Sequence, residues 1–393
     1  MSATLKTNIL GIDFENPFLL ASAPPTALIE SIEMGFEMGW GGAVLKTITP
    51  DDLEMVEASP RYAALQDRKH IIGLQNIELL SHKTIKYWCD GIKFLKQKYP
   101  SKVIIASIMA PVSKAAWQDL IKTFNDTPAD AFELNFSCPH GMPEKGIGMA
   151  IGTDAGISST ITKWVKEVAQ KPVFVKLSPN VSNISSITWA VEQAGADGLA
   201  AINTVQGFMG FDLKNLTPNL NVNGKTTYGG CSGAMIKPIG LRCVAQMRQT
   251  SSLPILGMGG ISTWEDAVQY MLVGSDAVQV CTEVMLNGYK VITPMLKGLQ
   301  NYLEEKGFKN ICELKDKAIS FISSHKDLQK TPLAYPQIDH AKCTRCGKCV
   351  SICMESEHQA LQLNDGNIVV DKSRCEGCGL CHLVCPAGAI INE

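Results

Sequence analysis

Two copies of C-x2-C-x2-C-x3-C, CTRCGKCVSIC from Cys343 and CEGCGLCHLVCP from Cys375, constrain this chain more than any other feature. Three thiolates on one tight loop can cap three irons of a [4Fe–4S] cluster, and a remote fourth locks the two halves together. The spacing therefore assigns Cys343, Cys346, Cys349 and Cys385 to one cluster and Cys375, Cys378, Cys381 and Cys353 to a second. Gly347, Gly377 and Gly379 let backbone amides approach the cluster sulfides. A pair of zinc sites is the alternative, but zinc requires neither the third cysteine nor the crossed fourth.

The pattern is that of a two-cluster ferredoxin, with Pro386 after the last cysteine and Met354 in the matching place of the first copy. Of fourteen cysteines, eight lie within 343–385, which reads as metal chemistry in a reducing compartment rather than disulfides. A formal charge of −2 and a charged fraction of 19% point to neither nucleic acid nor an acidic membrane surface as partner. MSATLKTNILG has no export-signal pattern, and no apolar run approaches the roughly 18 residues of a spanning helix, so a cytoplasmic protein is expected.

The body alternates short apolar runs with helical patterns, the signature of βαβ units. Candidate strands are 17–23, 42–47, 102–108, 130–136, 172–177, 197–203, 253–259 and 276–282. Eight such units predict an α/β fold, a (β/α)8 TIM barrel over 1–308, followed by a connector over 309–335 and a ferredoxin-like α+β domain over 336–393. An open doubly wound sheet is the alternative, though no G-x-G-x-x-G follows any candidate strand. Two loops, 48–80 and 204–235, are long enough to be functional.

Barrel chemistry sits at the C-terminal ends of strands. Those ends carry Ala21, Ser22, Lys46, Thr47, Asn135, Lys176, Asn203, Thr204, Gly259, Gly260, Cys281 and Thr282. In GMGGISTWED, Gly259 and Gly260 allow close backbone approach to an anion, and Ser262 with Glu265 reads as a capping box at the next helix start. Lys46 and Lys176 end apolar strands, where a lysine is costly unless it meets an anion. A flavin fits: its phosphate would go to the glycine loop, and one lysine would stabilise charge at N1 and O2 of the reduced ring. Pairing of each lysine with a local carboxylate is the alternative.

LQNIELL, NFSCPHGM, VKLSPNV, AINTVQGFMG, TTYGGCSG, ILGMGGI and VQVCTEV, followed by the two-cluster tail, resemble the dihydropyrimidine dehydrogenase family, in particular its bacterial NAD-dependent FMN-barrel subunits. The family is related to the dihydroorotate dehydrogenases. The resemblance implies an oxidoreductase acting on CH–CH bonds that reduces uracil and thymine to their 5,6-dihydro forms. It places FMN contacts on the strand-end residues above other than Thr204 and on Gly230, substrate contacts on Asn76, Glu78, Asn135, Ser137, Asn203 and Thr204, and the active-site cysteine on Cys138.

Reducing a pyrimidine 5,6 double bond needs a hydride at C6 and a proton at C5 from the opposite face. A cysteine with an ordinary pKa near 8.5 is mostly protonated at neutral pH and can donate that proton. His140 is near enough in sequence to assist Cys138, and the loop 141–152 can act as a lid. Asparagine amides suit the imide edge of a pyrimidine. No dinucleotide fingerprint is present, so neither NADH nor FAD has an evident place here and electrons are expected from a separate FAD- and NAD-binding flavoprotein, which the resemblance implies is a PreT-like subunit; analogy with related barrel enzymes adds the expectation of a homodimer within a hetero-oligomer. A dihydroorotate dehydrogenase-like enzyme and a non-catalytic flavin and iron–sulfur electron-transfer module are the alternatives.

Overall fold

In the computed structural model, which describes residues 3–136, 148–328, 333–356 and 358–392, each of the eight apolar runs forms one strand of a closed parallel barrel. They are β1 (Phe18–Leu20), β2 (Gly42–Val44), β3 (Val103–Ile108), β4 (Ala131–Asn135), β5 (Val173–Leu177), β6 (Gly198–Ala201), β7 (Ile255–Met258) and β8 (Ala277–Val280). Every strand pairs with its successor, and β8 closes on β1 through Val278 opposite Phe18, which excludes the open sheet.

The surrounding helices are α1 (Ile29–Met38), α2 (Ile85–Lys98), α3 (Lys114–Asn125), α4 (Ala155–Lys166), α5 (Ile184–Gln193), α6 (Lys237–Thr250), α7 (Trp264–Leu272) and α8 (Ile292–Lys306). Helical spacing decides which face they bury: α3 turns Trp117, Leu120, Ile121 and Phe124 inward, at i, i+3, i+4 and i+7. The side chains of Thr84, Ser113, Asp154 and Asn183 accept the first free amides of α2, α3, α4 and α5.

A hairpin of Thr7–Ile9 and Ile12–Phe14 plugs the N-terminal end of the barrel, where Ile9 and Phe14 pack on Leu19, Val103, Ile105 and Phe174. At the other end the two long loops meet in one antiparallel sheet, in the order Val205–Gly207, Gly229–Ser232, His70–Asn76, Tyr62–Asp67. Gln75, fully buried, joins the loops: its amide donates to Thr227 O at 3.0 Å and accepts from Met209 N at 2.7 Å.

The chain divides into two compact units, Met1–Ile322 and Ser323–Glu393. The first part of the expected connector therefore belongs to the barrel: Ile311 and Leu314 enter its core, and Asp316 takes two bonds from Arg248 at 2.8 and 2.9 Å. The second unit pairs Pro336–Ile338 with Ile390–Asn392 and Leu361–Asn364 with Asn367–Val370, beside helices Lys348–Glu355 and Leu380–Val384. Among the described residues no helix is long and apolar enough to cross a membrane.

Candidate active site

Alternation along the barrel strands sets the floor of the site. Ala131, Phe174 and Ala277 point into the apolar interior, so two residues further on Glu133, Lys176 and Gln279 share that face. Glu133 is wholly buried, with Lys176 Nζ 3.6 Å from Oε1 and Gln279 Nε2 donating to Oε2 at 2.8 Å. Ser107 donates to Glu133 Oε1 at 3.5 Å and shares a 3.0 Å hydrogen bond with Thr47. Neither Glu133 nor Gln279 was expected from the sequence, since both lie within strand bodies rather than at their ends.

Above this floor a cavity opens at the C-terminal ends of the strands. Ala21, Ser22, Lys46, Thr47, Asn135, Lys176, Asn203, Thr204, Gly259, Gly260, Cys281 and Thr282 all line it, as do Asn76 and Glu78. A hydrogen-bond chain ties the walls together: Thr47 Oγ1 meets Ser22 Oγ at 3.0 Å and accepts from Asn135 Nδ2 at 2.9 Å, and Asn203 Nδ2 donates to Asn135 Oδ1 at 3.4 Å. The asparagine amides are thus oriented before any ligand arrives.

The long-loop sheet supplies one wall. Glu78 accepts from Tyr62 Oη at 2.8 Å and is flanked by Lys46 Nζ and Arg61 Nε, each at 3.3 Å. Both cavity lysines therefore sit against a carboxylate, Lys46 against Glu78 and Lys176 against Glu133. Asn76 Nδ2 donates to Gly230 O at 2.9 Å. Gly230 does not itself line the cavity; it backs Thr204, whose side chain a Cβ there would strike. Burial pushes the Cys281 thiol up to about 11, so it is a neutral group of the wall.

At the glycine loop Gly259 and Gly260 take φ of +121° and +72°. A Cβ on Gly260 would lie 2.7 Å from Lys237 N and 2.8 Å from Gly233 O. The capping box falls one residue later than expected: Thr263 is the N-cap of α7, and Asp266 reaches back to the amides of Ser262 and Thr263 at 2.8 and 3.0 Å. Asp266, not an external anion, satisfies those two amides; Ser232, Gly233 and Thr282 complete this end of the cavity.

Two buried atoms of the wall, Thr204 Oγ1 and Gln279 Oε1, have no hydrogen-bond partner among the described residues. With the lysines and the glycine step they fit a planar, polar-edged ligand bearing an anionic tail, as a flavin is. Cys138, Ser137 and His140 lie outside the described residues, as does most of the loop 141–152.

In the tail, one cavity is lined by Cys343, Cys346, Cys349 and Cys385, and another by Cys353, Cys375, Cys378 and Cys381. Gly347, Gly377 and Gly379 take φ of +72°, +69° and +77°, which turns the loops around the thiols. The amides of Arg345, Ala360 and Ala389 donate to Cys343, Cys353 and Cys385 sulfurs at 3.4, 3.2 and 3.3 Å.

Residues 4–303 match the family model described as dihydroorotate dehydrogenase, and residues 336–392 match the 4Fe-4S dicluster domain. The chain is 35% identical over 369 residues to the NAD-dependent dihydropyrimidine dehydrogenase subunit PreA of Escherichia coli K12, covering 93% of this chain and 89% of that one. It is 34% identical over 338 residues to the chloroplastic dihydropyrimidine dehydrogenase (NADP(+)) of Arabidopsis thaliana, covering 83% and 79%. Against the catalytic subunit of dihydroorotate dehydrogenase B (NAD(+)) of Pyrococcus abyssi it is 36% identical over 310 residues, covering 79% and 97%. The chain thus belongs to the dihydroorotate dehydrogenase family of flavin enzymes, to whose barrel it joins a 4Fe–4S dicluster domain.

Proposed function

We propose that this chain is the catalytic subunit of an NAD-dependent dihydropyrimidine dehydrogenase, reducing uracil and thymine to their 5,6-dihydro forms. The observation that carries this reading is Glu78. It places a carboxylate in the cavity wall, and the lining charges then balance: Lys46 against Glu78, and Lys176 against Glu133 beneath. A neutral pyrimidine offers N–H donors to that carboxylate, whereas the carboxylate of orotate brought beside Glu78 would meet like-charge repulsion.

The residues that would hold FMN are Lys46, Thr47, Lys176, Gly259, Gly260 and Thr282, with Ala21, Ser22, Asn135, Asn203 and Cys281 around the ring and Gly230 behind Thr204. When bound, FMN supplies the hydride for C6. Asn76, Asn135, Asn203 and Thr204, with Ser137, hold the imide edge of the substrate, and Glu78 accepts an N–H. Cys138 gives a proton to C5 from the opposite face, since an ordinary thiol is mostly protonated at neutral pH. The eight tail cysteines carry the clusters, and electrons arrive from a separate FAD- and NAD-binding flavoprotein, as a subunit name such as PreA's implies a companion.

Anaerobic turnover of uracil and of orotate by the iron- and FMN-reconstituted chain with an artificial reductant tests this, with Cys138→Ala alongside. Dihydrouracil formation by the wild type, lost by orders of magnitude in the variant with its flavin spectrum intact, is expected. Reduction of orotate alone would instead make the chain a dihydroorotate dehydrogenase.

A further inference from the structure

Glu133 is the least exposed charged group of the barrel floor, yet it does not line the cavity. It touches two residues that do: Lys176 at 3.6 Å and Gln279 at 2.8 Å. A buried carboxylate without partners would be costly, and so would the Lys176 ammonium, whose side chain is 5% exposed. Each therefore fixes the other. The same carboxylate decides which way the Gln279 amide faces. An ionised carboxylate only accepts, so the amide must turn its NH2 to Glu133, which leaves Oε1 on the other side without a partner among the described residues.

We propose that Glu133 is the positioning residue of the flavin site, holding a cation and an acceptor side by side in the cavity wall and setting the reduction potential of the bound flavin through Lys176. An ammonium beside an acceptor complements the pyrimidine edge of a flavin, where a carbonyl or ring nitrogen that gains charge on reduction adjoins an N–H. The carboxylate anchors the Lys176 ammonium 3.6 Å from its own oxygen and so holds it back from that edge. Removing the carboxylate's charge releases the ammonium to close on the charge that reduction places there, which favours the reduced flavin. This rests on the flavin reading of the cavity.

The test is the two-electron potential of the flavin in the reconstituted full chain, read from its visible band against a reference dye, for wild type, Glu133→Gln, Lys176→Gln and the double variant. Glu133→Gln is expected to shift the reduction equilibrium toward the reduced form by about tenfold, about 30 mV for a two-electron couple. In the Lys176→Gln background the same change should produce less than about a threefold shift, because Glu133 acts through that ammonium. A flavin bound at an unmoved potential in Glu133→Gln, or an equal shift in both backgrounds, overturns the proposal. Should Glu133→Gln not fold, Glu133→Asp keeps the charge but withdraws it from Lys176 by one methylene. A smaller rise is then expected, and none overturns the proposal. A wild-type chain that takes up no flavin sinks the flavin reading itself, an outcome distinct from a bound flavin whose potential does not respond.

Discussion

At the scale of single residues, Glu78 and Cys281 show how one cavity sets opposite demands. Glu78 accepts from Tyr62 and lies 3.3 Å from both Lys46 and Arg61. Glu78→Gln should lower kcat/KM for uracil at least about tenfold, the loss of one charge-assisted hydrogen bond, while FMN content is unchanged. Tyr62→Phe, which removes one donor but leaves Arg61 beside the same Glu78 oxygen, should raise KM with kcat little altered; steady-state kinetics on both variants checks this. Cys281 is governed by burial, which raises its thiol from 9.0 to about 11. A thiol raised in the folded state adds stability that is complete below pH 9 and is lost as pH climbs through about 11. In the flavin-free chain at pH about 8, iodoacetamide should therefore modify the exposed Cys312 and spare Cys281, whose reaction should begin only as pH nears its shifted value; peptide mass spectrometry distinguishes the two. Strand-end polar groups were legible because they interrupt apolar runs at the end where barrels place chemistry. Glu133 and Gln279 were not, because one polar residue inside AFELN or AVQV looks like noise until strand alternation is mapped onto a closed barrel.

At the scale of elements, the eight barrel strands could be read directly, since strands buried on both faces are continuous apolar runs. Their expected ends ran up to three residues too long: β2 stops at Val44, and Lys46 and Thr47 leave the ladder to enter the cavity wall. The long-loop sheet was illegible for a different reason. Gly229–Ser232 is short, mixed in polarity and paired with His70–Asn76 across more than a hundred residues of chain, so no local pattern announces that pairing. Gln75 is the joint of that sheet. Gln75→Leu removes the acceptor for Met209 N and the donor for Thr227 O, two part-buried backbone groups, at a cost of about 1 kcal/mol. Hydrogen exchange should then quicken in 205–207 and 229–232 while β3 and β4 keep their protection, and KM for the pyrimidine should rise. Uniform loss of protection across the barrel strands would make Gln75 a general fold residue instead.

At the scale of the whole molecule, the tail is where sequence spacing and three-dimensional closure can be set against each other. Each set of four cysteines taken from the spacing lines one cavity, and each set borrows its fourth thiol from the other repeat. The crossing follows from the two short helices, Lys348–Glu355 and Leu380–Val384, which carry Cys353 and lead into Cys385 away from their own loops. Pairwise variants separate crossed from uncrossed ligation. If ligation is crossed, Cys353→Ala combined with Cys375→Ala damages a single cluster, so the reconstituted chain keeps about half its iron and the electron paramagnetic resonance signal of one reduced cluster. Cys353→Ala combined with Cys343→Ala damages both, and iron falls toward zero. Uncrossed ligation reverses the two results. Because four thiols from both halves close each cavity, loss of both clusters should also loosen the Pro336–Ile338 and Ile390–Asn392 pairing, which limited proteolysis would register as new cleavage confined to 323–393.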